Sequence, residues 1–503
     1  MEAQPWVIGC IVTPLFAALI SIGVLKRTAH LIGLVAAVVT AVMAGGLVWQ
    51  TVASGPLRYS IGGWGAPLGI DLYVDGLAAS MVAVTAVVGL SVSIYALGYF
   101  SDDSGSHHEE HDQQSWARNR RAFWALWLIL WGGLNALFVS GDLFNLYVTL
   151  ELMGLTAVGL IALGGQKTLG AAMRYLLVTL GGSIFYLSGV ALLYTAYGTL
   201  DLAALGILIE PDPAEFLAAA LITAGMFLKT ALVPLHFWLP PAHAKAYAPV
   251  SAVLSALVIK ASFYILLRLW VELFPGLISP VVADMATVLG ISAIVWGSVQ
   301  AIRQERVKML VAYSTVAQVG YLFVIFSPAV RGAPGALAGG VYHALSHACA
   351  KAAMFMAAGT LVWQIGEDTI ESLRGMQEHV SLSMFAFALA GISLMGLPPS
   401  GGFVAKLIVA RASIEAGQWV IVAGIFAGGL LAAIYVFKVL RTEFISEPDK
   451  SGRRARRAPW TMQLVPLVLA LVALALGLVA WAPLELLSVG EPLAVPTWSG
   501  GRP

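Results

Sequence analysis

The stretches that decide the fold are FLKTALVPLHFWLPP (227–241) and LMGLPPSGGFVAKLIVA (394–410). Each places a lysine, Lys229 or Lys406, inside an apolar run that proline interrupts, and Lys260 and Lys351 lie in two further apolar runs. A charge at bilayer depth costs roughly 2.5–3.5 kcal/mol on insertion scales, so such residues are rarely kept without a role. Several buried lysines beside irregular backbone predict a charge-relay path through a membrane transporter.

The composition of the 503-residue chain fixes its class. The sequence is 59% hydrophobic and only 11% charged, whereas ordinary soluble domains are about 25% charged. Apolar segments follow one another with short polar gaps, which predicts one all-α polytopic membrane protein. The net charge of +1 gives no support for nucleic acid or an acidic substrate as partner.

The two cysteines, Cys10 and Cys349, are far apart and form no CxxC motif. Iron–sulfur, structural zinc and thiol redox sites therefore lack their ligands, and we expect no cofactor and no metal. The first apolar run, from Trp6, has no basic segment before it and no small-residue cleavage site, so we expect a retained first span.

Hydropathy predicts about fourteen transmembrane helices. The predicted boundaries are 5–25, 29–50, 77–99, 122–140, 143–163, 169–197, 215–238, 247–271, 281–301, 306–327, 335–363, 381–410, 417–440 and 461–484. The segments 169–197, 335–363 and 381–410 exceed the ~20 residues that a span needs, so we expect them to be tilted, bent or interrupted.

The distribution of basic residues predicts the orientation. Most of the 28 Lys and Arg residues follow odd-numbered spans, whereas the opposite face carries only Arg58, Arg268, Arg331, Arg411 and Arg502. The positive-inside rule then places the odd loops in the cytoplasm and both termini outside.

The polar segment SDDSGSHHEEHDQQSWARNR (101–120) clusters His107, His108 and His111 with carboxylates. Such a cluster could hold zinc, but nothing fixes a coordination geometry, and a solvated linker between spans is the favoured interpretation. The basic run RRARR (453–457) is interpreted in the same way as a topogenic charge cluster.

Glu151 lies within the apolar segment GDLFNLYVTLELMGLTAVGL (141–160). A buried carboxylate is costly unless it is neutral or paired, and Lys229 is the expected partner. The pair could carry protons or could be a static tie between two helices. Lys260 lies midway through its span, too far from either end to extend easily to the interface.

The segment GGVYHALSHACAKAAMFMAAG (339–359) places His343, His347 and Lys351 at successive i, i+4 positions, on one helix face. Zinc binding would need a further ligand that this segment lacks. Proton relay fits better because histidine titrates near neutral pH, and helix packing is the alternative. Lys406 follows the Pro398–Pro399 break, where free backbone groups recruit the water that proton hopping needs.

Several of these segments together resemble the antiporter-like subunits of respiratory complex I and its relatives. They are SGDLFNLYVTLELMGL, FLKTALVPLHFWLP, RVKMLVAYSTVAQVGYLF, HALSHACAKAAMFMAAG and LPPSGGFVAKL, with VDGLAASMVAVTAVVGLSVSIYALGYF (74–100) before them. The resemblance covers about residues 70–440 in the same order. GDLFNLYVTLE is most similar to the D-type subunits of the multi-subunit Mrp-type cation/proton antiporters.

This resemblance implies two inverted five-helix repeats, spans 4–8 (122–275) and spans 9–13 (276–445). An N-terminal segment (1–121) would precede them, and a basic loop, last span and tail (446–503) would follow. Spans 7 and 12 would be broken at Pro234 and at Pro398–Pro399.

The resemblance also implies roles for the buried charges. Glu151 and Lys229 would be the coupling pair, Lys260 the central relay residue and Lys406 the terminal one, with the histidines between the last two. The chain departs from a symmetric pattern because Lys229 precedes Pro234 whereas Lys406 follows its prolines. The two halves are therefore not expected to be equivalent in function.

The expected function is proton translocation in a multi-subunit Na⁺ (or other monovalent cation)/proton antiporter in a bacterial or archaeal cell membrane, with other integral membrane subunits as partners. The alternatives are a proton-pumping subunit of a complex I-like NADH:quinone oxidoreductase or membrane-bound hydrogenase, and a proton-coupled subunit of an inorganic-carbon uptake system. No redox centre of its own is expected. Buried carboxylates are few, mainly Glu151 with Asp75 and Asp142 near span ends, so lysine chemistry suits protons better than Na⁺.

Overall fold

The computed structural model describes residues 5–23, 28–101, 110–374, 377–444, 456–490 and 493. Helices dominate this part of the chain because its apolar segments satisfy their backbone hydrogen bonds internally, as a bilayer demands. In chain order the helices are α1 Pro5–Gly23, α2 Ala29–Ser54, α3 Gly76–Tyr99, α4 Glu110–Phe138, α5 Leu143–Ala162, α6 Gln166–Tyr197, α7 Leu202–Leu208, α8 Pro213–Lys229, α9 Leu239–Lys245, α10 Ala248–Leu273, α11 Pro280–Arg303, α12 Val307–Val330, α13 Gly335–Ile365, α14 Gln377–Met395, α15 Gly401–Glu415, α16 Trp419–Leu440, α17 Trp460–Leu478 and α18 Trp481–Leu487.

Within the described residues, 12 helices are long and apolar enough to cross a membrane. The prediction of an all-α polytopic membrane protein is confirmed. Shorter helices lie at the two proline-containing segments, where α8 has 17 residues and α15 has 15. The total of fourteen spans and the two inverted repeats stay predictions.

Three helices form the centre of the bundle. In the most apolar 18-residue stretch of each helix, 100% of α10 is buried inside the protein, 89% of α12 and 83% of α13. The corresponding share is 33% in both α1 and α2. Small residues along α13, in GALAGGVYHALSHACAKAAMFMAAG, allow neighbouring helices to approach closely. The titratable residues on α10 and α13 therefore lie far from lipid.

Helix α10 is not a regular α-helix. Two π turns, at Leu254–Val258 and Leu269–Leu273, flank the α-helical segment Ile259–Arg268 that carries Lys260. A π turn holds one more residue than the α turn that it replaces and changes the direction of every side chain beyond it. Hydropathy alone predicts a single uninterrupted span here.

A β-hairpin between α2 and α3 is not among the sequence predictions. Strand β1 (Leu57–Ser60) pairs antiparallel with β2 (Asp71–Val74), with Leu57 opposite Val74. The hairpin is fixed at one edge by a hydrogen bond from the Tyr73 N–H to the Val139 carbonyl, 2.7 Å. Strand β2 also contacts Ser140 and Gly141, in the short segment between α4 and α5.

Two predicted boundaries differ from the structure. Helix α4 begins at Glu110, ahead of the span predicted from residue 122, because the polar segment before the span is also helical. The domain boundary predicted at residue 121 therefore lies inside α4. His107 and His108 of the predicted histidine/carboxylate cluster lie outside the described residues, and His111 is in the first turns of α4.

The last predicted span, 461–484, corresponds to two helices. Helix α17 ends at Leu478, and α18 begins at Trp481. The segment 381–410 is likewise divided into α14 and α15.

Candidate functional site: a row of buried charged residues

Glu151 of α5 and Lys229 of α8 form an ion pair. Their Oε1 and Nζ atoms are 3.1 Å apart, and the side chains are 20% and 3% exposed, respectively. The Ser183 hydroxyl of α6 donates a hydrogen bond to the same carboxylate oxygen. Three helices therefore meet at one carboxylate, and the partner expected from the sequence is in contact with it.

The chain leaves helical geometry directly after Lys229. Pro234 cannot donate a backbone hydrogen bond and disfavours a helical residue before it. Ala231 adopts a left-handed backbone conformation with φ 58°, which is strained for a residue with a Cβ atom. The Trp238 indole N–H donates to the Leu228 carbonyl at 3.2 Å and satisfies one free group of the helix end. Lys229 thus occupies the last turn of α8, where the helix dipole stabilises a cation.

Lys260 of α10 is buried within direct Coulomb range of His347 and Lys351 of α13. It is 1% exposed, and its Nζ donates to the Ser255 carbonyl at 2.5 Å, within the first π turn. In the described part of the chain no carboxylate forms an ion pair with it. No described hydrogen bond joins it to Lys229, so the two predicted relay residues are not in direct contact.

His343, His347 and Lys351 lie along one face of α13, as their spacing predicts, and all three are buried. The two imidazole rings stack with centroids 5.5 Å apart. His343 Nε2 is 3.3 Å from the Gln318 carbonyl, whereas neither ring nitrogen of His347 has a hydrogen-bond partner among the described residues. Lys351 Nζ donates to the Val311 carbonyl and to the Ser314 hydroxyl, each at 2.7 Å.

Lys406 of α15 bridges the second break. Its Nζ donates to the Leu394 carbonyl at 2.7 Å and to the Met395 carbonyl at 3.2 Å, the last carbonyls of α14. It also lies 4.3 Å from the centroid of the Tyr321 ring, a cation–π distance. Ser400 caps α15 by accepting from the Phe403 N–H.

The two breaks therefore hold their lysines differently. Lys229 meets a carboxylate, whereas Lys406 meets only neutral acceptors and an aromatic face among the described residues. This difference agrees with the reversed order of lysine and proline in the two sequence segments.

A second buried ion pair was missed at the sequence level. The Arg268 guanidinium of α10 binds both carboxylate oxygens of Asp75, at 2.6 and 2.5 Å, and also pairs with Glu272. Arg268 is 4% exposed and Asp75 1%, although the count of basic residues that predicts the orientation assigned Arg268 to one face of the membrane. Asp75 also caps α3 by accepting from the Ala78 N–H at 2.9 Å. The carboxylate is thus fully engaged and ties α3 to α10.

Asp142, the other carboxylate near a span end, is the N-cap of α5 and accepts from the Asn145 N–H at 2.7 Å. Burial raises the pKa of its carboxyl above the usual range, and the backbone hydrogen bonds from Asn145 and Phe144 partly oppose this. Among the residues that the structure describes, no group of three or more His, Cys, Asp and Glu side chains could hold a metal ion.

Comparisons with known proteins agree with the geometry. Residues 140–432 match the family described as NADH:quinone oxidoreductase/Mrp antiporter, TM, and residues 63–108 match NADH-Ubiquinone oxidoreductase (complex I), chain 5 N-terminus. The chain is 37% identical to the N-type subunit of the NADH-quinone oxidoreductase of Desulforudis audaxviator, over 89% of this chain and 88% of the relative. It is 28% identical to the D-type subunit of the Na(+)/H(+) antiporter of Bacillus subtilis, over 94% of each.

A solved structure shares the whole fold. A protein of the Mrp complex from Dietzia sp. superimposes with a TM-score of 0.87 at 25% identity, and the match covers 98% of both chains.

Proposed function

The chain belongs to the NADH:quinone oxidoreductase/Mrp antiporter transmembrane family, and from this premise we propose that it translocates protons as one membrane subunit of a multi-subunit monovalent cation (Na⁺)/proton antiporter. The similarity to the D-type antiporter subunit over 94% of both chains and the fold shared with a protein of an Mrp complex support this proposal. The bacterial or archaeal cell membrane is the corresponding location, with other integral membrane subunits as partners.

The Glu151–Lys229 pair is the observation that carries the proposal. Intramembrane charges are costly and mark ion or proton pathways. This pair lies beside a broken helix, and irregular backbone at membrane depth is tolerated only where it is buried in protein or lines a water-filled cavity. Lys260, Lys351 and Lys406 continue the row of ammonium groups toward the second break. Ammonium groups exchange protons but do not ligate Na⁺, so the chain itself would carry the proton.

In this proposal Glu151 and Lys229 couple proton movement to the partner subunits. Lys260 is the central relay residue, and Lys406 is the last one before the exit. His343, His347 and Lys351 connect the two. The stacked imidazoles and the unpartnered nitrogens of His347 among the described residues leave room for hydrogen bonds that form during transfer.

The inverted repeats, 122–275 and 276–445, and the placement of both termini outside belong to the same proposal. One broken helix with a nearby lysine in each half supports the repeats. The excess of basic residues in the loops after odd-numbered spans supports the orientation.

A second candidate is the proton-pumping subunit of a complex I-like oxidoreductase. It is favoured by the 37% identity to the N-type subunit of an NADH-quinone oxidoreductase. The proton path in this chain would be the same, and a redox reaction on other subunits would supply the driving force.

One experiment separates these candidates. Inverted membrane vesicles are prepared from the native host, from a strain that lacks the chain, and from that strain after complementation. An antiporter dissipates a preformed pH gradient when NaCl or another monovalent salt is added, and only in vesicles that contain the chain. If salt has no effect and the chain is needed instead for building a gradient during electron-donor oxidation, the redox candidate is correct. If neither proton movement depends on the chain, the proposed function is wrong.

A further inference from the structure

Helix α12 carries no lysine, histidine or carboxylate near its middle, yet one of its faces is polar. Ser314, Thr315 and Gln318 lie at i, i+1 and i+4, and all three side chains are buried. The Val311 carbonyl lies one turn before them on the same face. This face is directed toward the lysines of α10, α13 and α15.

The N-terminal end of this face connects two lysines. The Thr315 hydroxyl is 2.9 Å from the Ser255 hydroxyl, and Ser255 also accepts from Lys260 through its carbonyl. Lys351 donates to both the Val311 carbonyl and the Ser314 hydroxyl. Helix α12 therefore contacts Ser255, the hydrogen-bond acceptor of Lys260, and also contacts Lys351 directly.

The C-terminal end of the face approaches Lys406. Gln318 Nε2 donates to the Leu394 carbonyl at 3.1 Å, and Lys406 donates to the same carbonyl. Gln318 Nε2 also lies 3.4 Å from the hydroxyl of Tyr435, on α16, and that hydroxyl interacts with the Ser314 side chain. Tyr435 is 0% exposed, so its hydroxyl depends on these neighbours for hydrogen bonds.

We infer that Ser314 and Tyr435, positioned by Gln318, form a second connection between Lys351 and Lys406, parallel to the one through the histidines. The inference rests on the proposed function, since it assumes that protons move between these lysines.

The proton balance of this branch is simple. The Ser314 hydroxyl, which donates to the Val311 carbonyl at 2.8 Å, first turns toward Tyr435. The Lys351 ammonium then gives a proton to the Ser314 oxygen while Ser314 passes its own hydroxyl proton to Tyr435. Tyr435 in turn passes its hydroxyl proton to a buried water, which delivers one to the neutral Lys406 amine. The hydroxyl groups then rotate back to their starting orientation. Each oxygen gains and loses one proton, and no other reactant is consumed.

Gln318 acts as a positioning residue in this branch. A carboxamide does not exchange protons readily, but its Nε2 fixes the Tyr435 oxygen and the Leu394 carbonyl. Its Oε1 is buried and has no partner among the described residues. An unpartnered buried acceptor costs about 1–3 kcal/mol, and a bound water would satisfy it. This oxygen is therefore the site for the water in the last transfer.

The histidine branch meets the same residues from the other side. His343 Nε2 faces the Gln318 carbonyl, and His347 is close enough to Lys351 and Lys406 for direct Coulomb interaction. Both branches begin at Lys351 and end at Lys406. Two parallel branches predict that the loss of either one leaves a measurable proton flow.

The test compares proton movement in inverted vesicles that carry the complete complex, with the amount of chain checked by immunoblot. Tyr435→Phe removes one branch and His347→Phe the other, and each alone is expected to retain about half of the wild-type rate. The double variant is expected to be about 100-fold slower, the scale that loss of proton-transfer groups produces. Tyr186→Phe is the matched control, because its fully buried hydroxyl donates to the Leu143 carbonyl at 3.0 Å in the other half of the chain.

If Tyr435 has only a structural role, Tyr435→Phe should lower the amount of chain or its thermal midpoint as much as Tyr186→Phe does. The double variant should then lose no more proton movement than the two single losses combined. The inference is overturned if the double variant matches His347→Phe, or if Tyr435→Phe alone abolishes proton movement. Lys406→Met in the same series tests whether the relay ends at Lys406. If Lys406→Met moves protons at the wild-type rate, the relay does not end at Lys406 and the second connection is wrong, whereas the proposed function is wrong only if proton movement does not depend on the chain at all.

Discussion

Replacing Glu151 by alanine removes the only carboxylate paired with Lys229 among the described residues. For unit charges 3.1 Å apart, an effective dielectric constant of about 20 gives an attraction of about 5 kcal/mol. Without it, the Lys229 ammonium would be left buried and unpaired, which typically costs about 3–5 kcal/mol. No carboxylate then stabilises the protonated form of Lys229, so coupled transport should fail.

The size of the loss follows from that energy. Since about 1.36 kcal/mol corresponds to a factor of ten in rate, about 5 kcal/mol sets an upper bound of about 5,000-fold on the loss of rate. The Glu151 side chain is 20% exposed, and water weakens the attraction, so we expect about a 100-fold loss of proton movement. Assembly should be retained, because the Ser183 hydroxyl on α6 remains available to water or to Lys229.

The assay is dissipation of a pH gradient in inverted vesicles that carry the complete complex. Glu151→Gln keeps the shape of the site without its charge and should fail like alanine, whereas Glu151→Asp should retain some activity because the charge survives. Glu215→Gln is the matched control, since Glu215 is also buried but accepts from the Tyr197 hydroxyl at 2.9 Å. Near-wild-type transport by Glu151→Ala, at a normal amount of chain, would refute the pairing argument.

Other residues and the intact chain give further predictions. Lys406→Met should assemble but stop proton movement in the vesicle assay, and Lys406→Arg should also fail because a guanidinium does not release its proton. The control is Lys438→Met, which removes hydrogen bonds to the Ile302 and Gln304 carbonyls and should keep transport. Normal transport by Lys406→Met would leave that lysine a packing role. Asp75→Ala leaves Arg268 buried without its main partner and should destabilise the chain by about 3–5 kcal/mol, seen as a lower thermal midpoint in detergent; an unchanged midpoint would contradict this. The purified chain alone should show no Na⁺-dependent exchange in liposomes, while the assembled complex should show it, and robust exchange by the chain alone would overturn the assignment of the cation to partner subunits.

The fold was predictable where hydropathy carries the information. Long apolar runs gave the bounds of α11, α13 and α16 to within a few residues, because a bilayer sets both the length and the composition of a span. The hairpin β1–β2 was not predictable in this way, since it lies outside the bilayer-length segments and is held by a contact with the segment after α4.

The site was predictable where residues are charged. Glu151 and Lys229 could be paired from sequence because a carboxylate and an ammonium are both rare and costly in apolar runs. Ser314 and Gln318 gave no such signal, since uncharged polar residues are common in helices and only the fold shows which lysines they contact. Arg268 was misplaced because it lies close to the end of its span, and its partner Asp75 is remote in sequence.

The first π turn of α10 has a consequence for how Lys260 is aimed. One residue more or less in a helix rotates everything beyond it by about 100° around the axis and moves it by about 1.5 Å. If Leu254–Val258 closed as a regular α turn with all of its residues kept, Lys260 would be rotated away from its carbonyl acceptor, even though every side chain around it stayed the same. The direction of the Lys260 side chain is therefore set by the π turn that precedes it, in addition to the number of residues before it.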